Sequence, residues 1–485
     1  MQSIVDNLDW FNTQYGVVLV FLLTGAGLYF GIYTLLVQIR YVPDMFKAVA
    51  EKPSELPGGQ KGISAFKAFT ISAASRVGTG NVAGVAIAIA TGGPGAVFWM
   101  WLLALIGGAT SFVESTLAQA YKVRDKESYR GGPAYYISHV LGWKGMAVLF
   151  AVLITVTYGF VFNAVQSNSI AESITHSLGG DPDATKIVVG VILAIVTALV
   201  IFGGVQRVAM VTQFVVPVMA VAYIFIGLFV VALNISEVPR MFQEIISHAF
   251  GIQEFAGATL GVVIMKGVQR GLFSNEAGMG SVPNAAATAS VSHPVKQGLI
   301  QTLGVYFDTL VVCTVTAFII MLADPDLSSE QGGMALTQSS LAASVGTWGI
   351  YFLTVVIIFL AFSSVIGNYY YGETNIEFLT DNRSWITIYR ILVSLCVLGG
   401  ALGTVPLVWT MADTFASLMA TVNIIALVPL GGVAVALLKN YTEQRAKGLN
   451  PIFHRDDLPG IKGWESMNCW DGSDPLTQRK ERSEV

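Results

Sequence analysis

The sequence predicts an all-α integral membrane protein of eleven transmembrane helices, arranged as an inverted 5+5 repeat preceded by one extra N-terminal helix. Three observations carry that reading. Hydrophobic residues make up 54% of the chain and charged residues only 12%, about half the charged share of a soluble globular domain. Apolar stretches of about 20 residues or more recur, long enough to cross a hydrocarbon core of about 30 Å, and mean hydropathy is +0.63. Lysine and arginine gather on alternate connections between those stretches. Strands of an outer-membrane barrel would instead be about ten residues long with strict alternation, a pattern the chain lacks.

Helical spans read at 15–40, 64–90, 94–121, 145–177, 184–203, 207–233, 257–291, 295–323, 347–379, 383–402 and 405–439. With the N-terminus outside, the inner segments hold 22 of the 27 Lys and Arg, and the outer segments hold only Lys186 and Arg240. Arg76, Lys266 and Arg270 stand in mid-span. An even number of spans would scramble this alternation, so the charges support both the count and a cytoplasmic C-terminus in the cell's inner (plasma) membrane. The first 14 residues are acidic and no small-residue cleavage pattern follows the first apolar run, so no signal peptide is expected. Three cysteines, two of them in spans, leave no disulfide framework. Residues 440–485 read as a polar cytoplasmic tail, partly without fixed structure.

The second span contains "SAASRVGTGNVAGVAIA" at 72–88, with an arginine, an asparagine, two serines, a threonine and three glycines among its apolar residues. Breaking a helix in hydrocarbon frees N–H and C=O groups at several kcal/mol each, roughly, unless they line a cavity or bind something. Amides freed at the start of a second half-helix offer a positive dipole end to a carboxylate, and carbonyls freed at the end of the first half offer hard oxygen ligands to a cation. Such a span makes an amphoteric site, suited to an amino acid and a coupling ion. Packing glycines alone would explain the string less well. It is no dinucleotide fingerprint either, since no strand precedes it and the spacing differs.

A partner stretch, "FSNEAGMGSVPNAAA" at 273–287, repeats Gly-x-Gly followed by a small polar residue in mid-span (Gly78, Gly80, Asn81; Gly278, Gly280, Ser281). Five spans run from the first interrupted helix (64–233) and five from the second (257–439), with the extra helix of 1–40 before both. Five is odd, so the second set enters the membrane inverted. Interrupted spans at corresponding positions of two halves point to a transporter's binding site.

"RVGTGNVAGVA", "GGPGAVFWMW", "YRGGPAYYI", "RGLFSNEAGMGS" and "SSVIGNYYYGE" closely resemble the alanine or glycine:cation symporter family, sodium-coupled carriers of small neutral amino acids. The likeness runs from about residue 15 to 440. It implies a leucine-transporter-type (LeuT) fold and a site for a small neutral amino acid and Na⁺, with no other cofactor and no nucleic-acid partner. By that resemblance Thr79, Gly80 and Asn81 present amides and a side chain to the substrate carboxylate. Phe273, Ser274 and Asn275 hold the ammonium and wall the pocket, while Asn163 and Gln166 of "FNAVQSNSI" also reach it. Ser363 and Ser364 of "LAFSSVIG" become sodium ligands, completed by carbonyls of Ala74, Val77 and Leu360. Read without the resemblance, an intramembrane Asn or Gln is helix-to-helix glue and a lone serine bonds its own i−4 carbonyl.

One position departs from the pattern. Many family members have tryptophan after this "IG", where the chain has Asn368. Asparagine is smaller and offers both donor and acceptor, which implies a roomier, more polar pocket able to admit glutamine. Arg76, Glu114, Lys266, Arg270, Glu276 and Asp308 are ionisable groups in or near spans and candidates for function. Glu114 is expected to cap freed amides, and Lys266 and Arg270 to line an outer vestibule or pair with acids such as Glu276. The expected mechanism is sodium symport by alternating access, with proton-coupled symport as the alternative. A channel would need a continuous polar lining. An enzyme is disfavoured because HExxH, GxSxG and GxxxxGK[ST] are absent and the five histidines show no ligand spacing.

Overall fold

The structure, a computed structural model, describes residues 2–52, 62–125, 128–252, 259–325, 327 and 332–477, with the backbone alone for 204–212. The chain opens with α1 (Gln2–Tyr33), α2 (Val37–Arg40) and α3 (Val42–Val49), and the first interrupted segment follows as α4 (Ala65–Arg76) and α5 (Val85–Gly92). Next come α6 (Gly95–Ala120), a two-residue hairpin of β1 (Val123–Arg124) and β2 (Tyr129–Arg130), α7 (Pro133–His139), α8 (Lys144–Val156) and α9 (Asn163–Leu178). Then α10 (Pro182–Ile201), α11 (Gly204–Leu233) and α12 (Val238–Ala249) lead to the second interrupted segment, α13 (Leu260–Asn275) and α14 (Val282–Ala287). The chain finishes with α15 (Pro294–Tyr306), α16 (Thr314–Ala323), α17 (Met334–Val345), α18 (Trp348–Leu379), α19 (Arg383–Leu402), α20 (Val405–Leu427) and α21 (Gly431–Ala446). Short π-helical turns join α8 to α9, α15 to α16 and the break to α5.

Among the described residues, nine helical stretches are long and apolar enough to cross a membrane, and the α4–α5 pair, bent by 49° at its break, makes a tenth. The pieces of the second interrupted segment, α13 and α14, are each too short to be counted by length. The helices start and stop where local chemistry directs. Ser64 caps α4 by accepting from the Lys67 amide at 3.1 Å. Asp181 caps α10 ahead of Pro182, and Gly179 ends α9 in the left-handed region. The first helix runs Gln2–Tyr33, starting earlier than its apolar stretch and ending where Leu35 and Leu36 turn left-handed.

Apolar side chains form the core and also cover the outer faces of the helices, while polar side chains are buried among the core residues. Ile187, Ile192, Ile195 and Leu199 of α10 are exposed, as are Ile388, Leu392 and Leu395 of α19, while Asn81, Ser274, Asp308 and Gln301 are wholly buried. The interior is built by α6 packing along α1, α13, α14 and α15, and by α18 packing against α4, α8, α9 and α11. Both interrupted segments are thus held between α6 and α18.

The tail differs from the sequence expectation. Residues 447–477 fold back over one end of the helices, where Phe453 and Trp470 have 0% exposure. Trp470 Nε1 donates to the Gln119 carbonyl at 3.0 Å, and the Phe453 amide to the Ser292 carbonyl at 2.9 Å. Lys122 donates to the Ala289 carbonyl at 2.9 Å and lies 3.8 Å from the Tyr129 ring centre and 4.7 Å from that of Trp470. Polar composition hid a segment whose few aromatic groups suffice to anchor it.

Candidate functional site between the two broken helices

The two breaks arise from different backbone demands. In the second, Glu276, Gly278 and Gly280 all have positive φ, 57°, 85° and 83°, a conformation glycine adopts without penalty. In the first, Gly78 and Gly80 allow close approach. A Cβ on Gly78 would stand 2.3 Å from Ser364 Oγ and 2.9 Å from Gln166 Oε1, and one on Gly80 would stand 2.9 Å from Phe273 Cδ1.

The freed groups are answered by side chains. The Gly78 amide donates to Asn81 Oδ1 at 2.9 Å and the Thr79 amide to Gln166 Oε1 at 3.2 Å. Glu114 accepts from the Gly278 and Gly280 amides at 3.2 and 3.1 Å and from Asn423 Nδ2 at 2.7 Å. It caps the second break as the sequence suggests, its carboxyl group set just ahead of α14.

Between the breaks runs a buried polar chain. Asn81 Nδ2 lies 2.6 Å from Asp308 Oδ1 and 3.0 Å from Ser274 Oγ, and Ser274 donates to Asp308 Oδ2 at 2.6 Å. Thr316 donates to the Asn81 carbonyl at 2.6 Å. The Phe273 ring stands over this group, its centre 4.5 Å from Phe162 and 4.8 Å from Trp409. Thr79 Oγ1 and Trp409 Nε1 are buried with no protein partner, so polar capacity is left for a bound molecule.

Most of the sequence-selected residues meet here. Thr79, Gly80 and Asn81 adjoin Gln166, Phe273 and Ser274. Ser364 reaches Gly78, and Gly367 lies against Ser75, Ala74 and Ile71, which brings α18 onto the end of α4 beside Ala74 and Val77. Ser363 and Ser364 both donate to the Leu360 carbonyl, at 2.7 and 3.1 Å. Ser364, and the Leu360 carbonyl it shares with Ser363, thus lie next to the end of α4. Two further residues make bonds outside this cluster, with Asn163 Oδ1 left without a protein partner. Asn163 donates to Gly159 of its own helix at 3.1 Å, and Asn275 spans Thr309 Oγ1 and the Ala277 amide at 3.2 and 3.0 Å. Asn275 thereby braces the break.

Arg270 pairs with an acid, one of the two expectations from the sequence, and that acid is Asp413 of α20, where the sequence offers Glu276 as an example. Asp413 lies far along the chain, and its single acid on an apolar helix carried no local sign of a partner. The guanidinium lies 4.7 Å from the Trp409 ring centre and 5.9 Å from that of Phe273, closing one side of the site. Lys266 instead lays its stem against Gly92. Arg76 is buried and donates to the Gln301 carbonyl at 3.2 Å. Glu276 contacts Ser75 of α4 and Ser281. Ser75 went unremarked as a functional residue because one hydroxyl gives no pattern until its partners converge on it.

The arrangement can hold a zwitterion beside a cation: amides and hydroxyls at one break, carboxylate and hydroxyls at the other, aromatic rings above. The chain matches the sodium:alanine symporter family over residues 1–455. It is 53% identical to the amino-acid carrier protein AlsT of Bacillus subtilis (strain 168), over 92% of this chain and 94% of that one. It is 48% identical to the probable sodium/glutamine symporter GlnT of the same organism, over 98% and 96%. The solved structure of MhsT in complex with L-phenylalanine is similar in fold, with a TM-score of 0.55 at 13% identity, covering 84% of this chain and 96% of that one. The chain belongs to the sodium:alanine symporter family.

Proposed function

We propose that the chain is a secondary active symporter that imports small neutral amino acids with sodium by alternating access, with alanine, glycine and glutamine as its substrate class. The observation that carries this is the meeting of two interrupted helices at one buried polar site, flanked by the Ser363/Ser364 pair. Sodium is taken by the carbonyls of Ala74, Val77 and Leu360 and the hydroxyls of Ser363 and Ser364. Oxygen ligands with no carboxylate suit a hard monovalent ion. The substrate carboxylate is taken at Thr79, Gly80 and Asn81, with Gln166 giving up its hold on the Thr79 amide. Phe273, Ser274 and Asn368 meet the rest of the molecule, and Asn163 and Asn275 support the pocket from one shell further out.

In this reading α13 and α14 together make the eleventh span, and the repeats run 64–233 and 257–439 as an inverted pair after the helix of 1–40. The face covered by residues 447–477 is cytoplasmic, because it carries most of the lysine and arginine. Sodium binding braces α4 against α18 and fixes the freed amides for substrate. One charge crossing 100 mV supplies about 2.3 kcal/mol before any concentration gradient. Uptake of labelled alanine into proteoliposomes tests it: an imposed inward sodium gradient accelerates uptake, and a proton gradient without sodium does not. Uptake driven by protons alone would favour the proton-coupled alternative.

A further inference from the structure

Where α4, the second break and α18 meet, one hydroxyl serves two acceptors. Ser75 Oγ lies 2.7 Å from Glu276 Oε1 and 2.7 Å from Asn368 Oδ1. Glu276 Oε2 takes its own proton donor, Ser281, at 2.6 Å. All four residues are buried, with Asn368 at 0% exposure and its Nδ2 without a protein partner. A serine hydroxyl carries a single proton and cannot donate fully to both a carboxylate and an amide oxygen. The carboxylate is the stronger acceptor. Its claim on the Ser75 proton leaves the Ser75 lone pairs open to donors, of which the Tyr371 hydroxyl is one neighbour and the Asn368 N–H₂, once turned, is another. An amide turns end for end without change of shape, so the exchange satisfies Ser75 and the amide nitrogen together and leaves the amide oxygen unspent.

We infer that Glu276, acting through Ser75, is a positioning residue that makes Asn368 present a hydrogen-bond acceptor to the substrate side chain, so that the pocket selects side chains bearing an N–H or O–H donor. The inference rests on the proposed amino-acid symport and deepens it by naming the side-chain chemistry. Asn368 lies one helical turn beyond Ser364, which stands beside Gly78 of the first break, and the end of its amide turned away from Ser75 meets no protein group. The side chain that fits is a carboxamide or a hydroxyl. A methyl ester in place of the carboxamide, one heavy atom larger and with acceptors only, meets oxygen against oxygen.

The test measures how well L-glutamine and L-glutamate γ-methyl ester compete with sodium-driven alanine uptake in proteoliposomes. Glutamine is expected to compete about five- to tenfold better than the ester, the worth of one buried hydrogen bond. Ser75→Ala and Glu276→Gln bring the two competitors within about twofold of each other, the second because the new amide can donate to Ser75 and turn Asn368 round. Ser75→Thr keeps the hydroxyl and restores the preference. A purely structural loss would weaken alanine, glutamine and ester by one common factor, which would overturn the inference, as would equal competition in the unmodified protein. Should the unmodified protein show no sodium-driven alanine uptake, the symport reading fails and the inference falls with it. Alanine uptake with no glutamine preference overturns only the inference.

Discussion

Gly78 and Gly80 matter through the space beside them, whereas Gly278 and Gly280 matter through their own backbone angles. Substituting Gly80 therefore pushes the Phe273 ring, which would stand 2.9 Å from the new Cβ and which itself leans on Phe162 and Trp409. Overpacking of this kind costs about 1–3 kcal/mol. Gly80→Ala is expected to fold but to lose about tenfold or more in apparent alanine affinity, read as the concentration giving half-maximal uptake. The glycines themselves were legible in the sequence, because polar and small residues inside a spanning stretch are costly unless used. Their neighbours were not: Ser364 and Phe273 come from other elements, and no local spacing reports them.

At the scale of elements, the Arg270–Asp413 pair ties α13 to α20 above the site. Removing one partner of a buried ion pair costs about 3–5 kcal/mol, because the other charge is left uncompensated, whereas replacing both by apolar residues is often close to neutral. Asp413→Leu should lower the melting temperature by several degrees, and Arg270→Met with Asp413→Leu should recover most of it. Equal losses in the single and double variants would mean that the pair has no such coupling. The Glu114 cap works at the same scale, since one carboxylate holds two amides that the second break sets loose. It was legible because an acid in a spanning helix needs a partner. That Arg270 needs an acid was legible in the same way, but which acid was not, because the folded chain brings Asp413 to it from a distant helix.

Across the whole molecule, the outer faces of the spans are apolar, a set of polar groups is buried within the apolar core, and the tail covers one end. Composition and the recurrence of long apolar stretches gave the membrane class and most of the spans, since both depend on counts over long stretches. The fold of residues 447–477 was hidden by their polarity. Trp470 and Phe453 are wholly buried there, and Trp470→Ala is expected to cost about 3–5 kcal/mol, measurable as a lower melting temperature. A melting temperature equal to that of the unmodified protein would mean the tail contributes nothing to the folded state.

The central claim is that sodium, bound where α4 ends against Ser363 and Ser364, prepares the adjacent break to receive an amino acid. Equilibrium binding of labelled alanine to the purified protein, with sodium titrated against potassium at constant ionic strength, measures that coupling directly. Alanine affinity is expected to rise by about tenfold or more as sodium saturates, with sodium affinity rising by the same factor when alanine is present. Ser364→Ala should abolish the rise. Alanine affinity that is the same in sodium and in potassium would contradict the account.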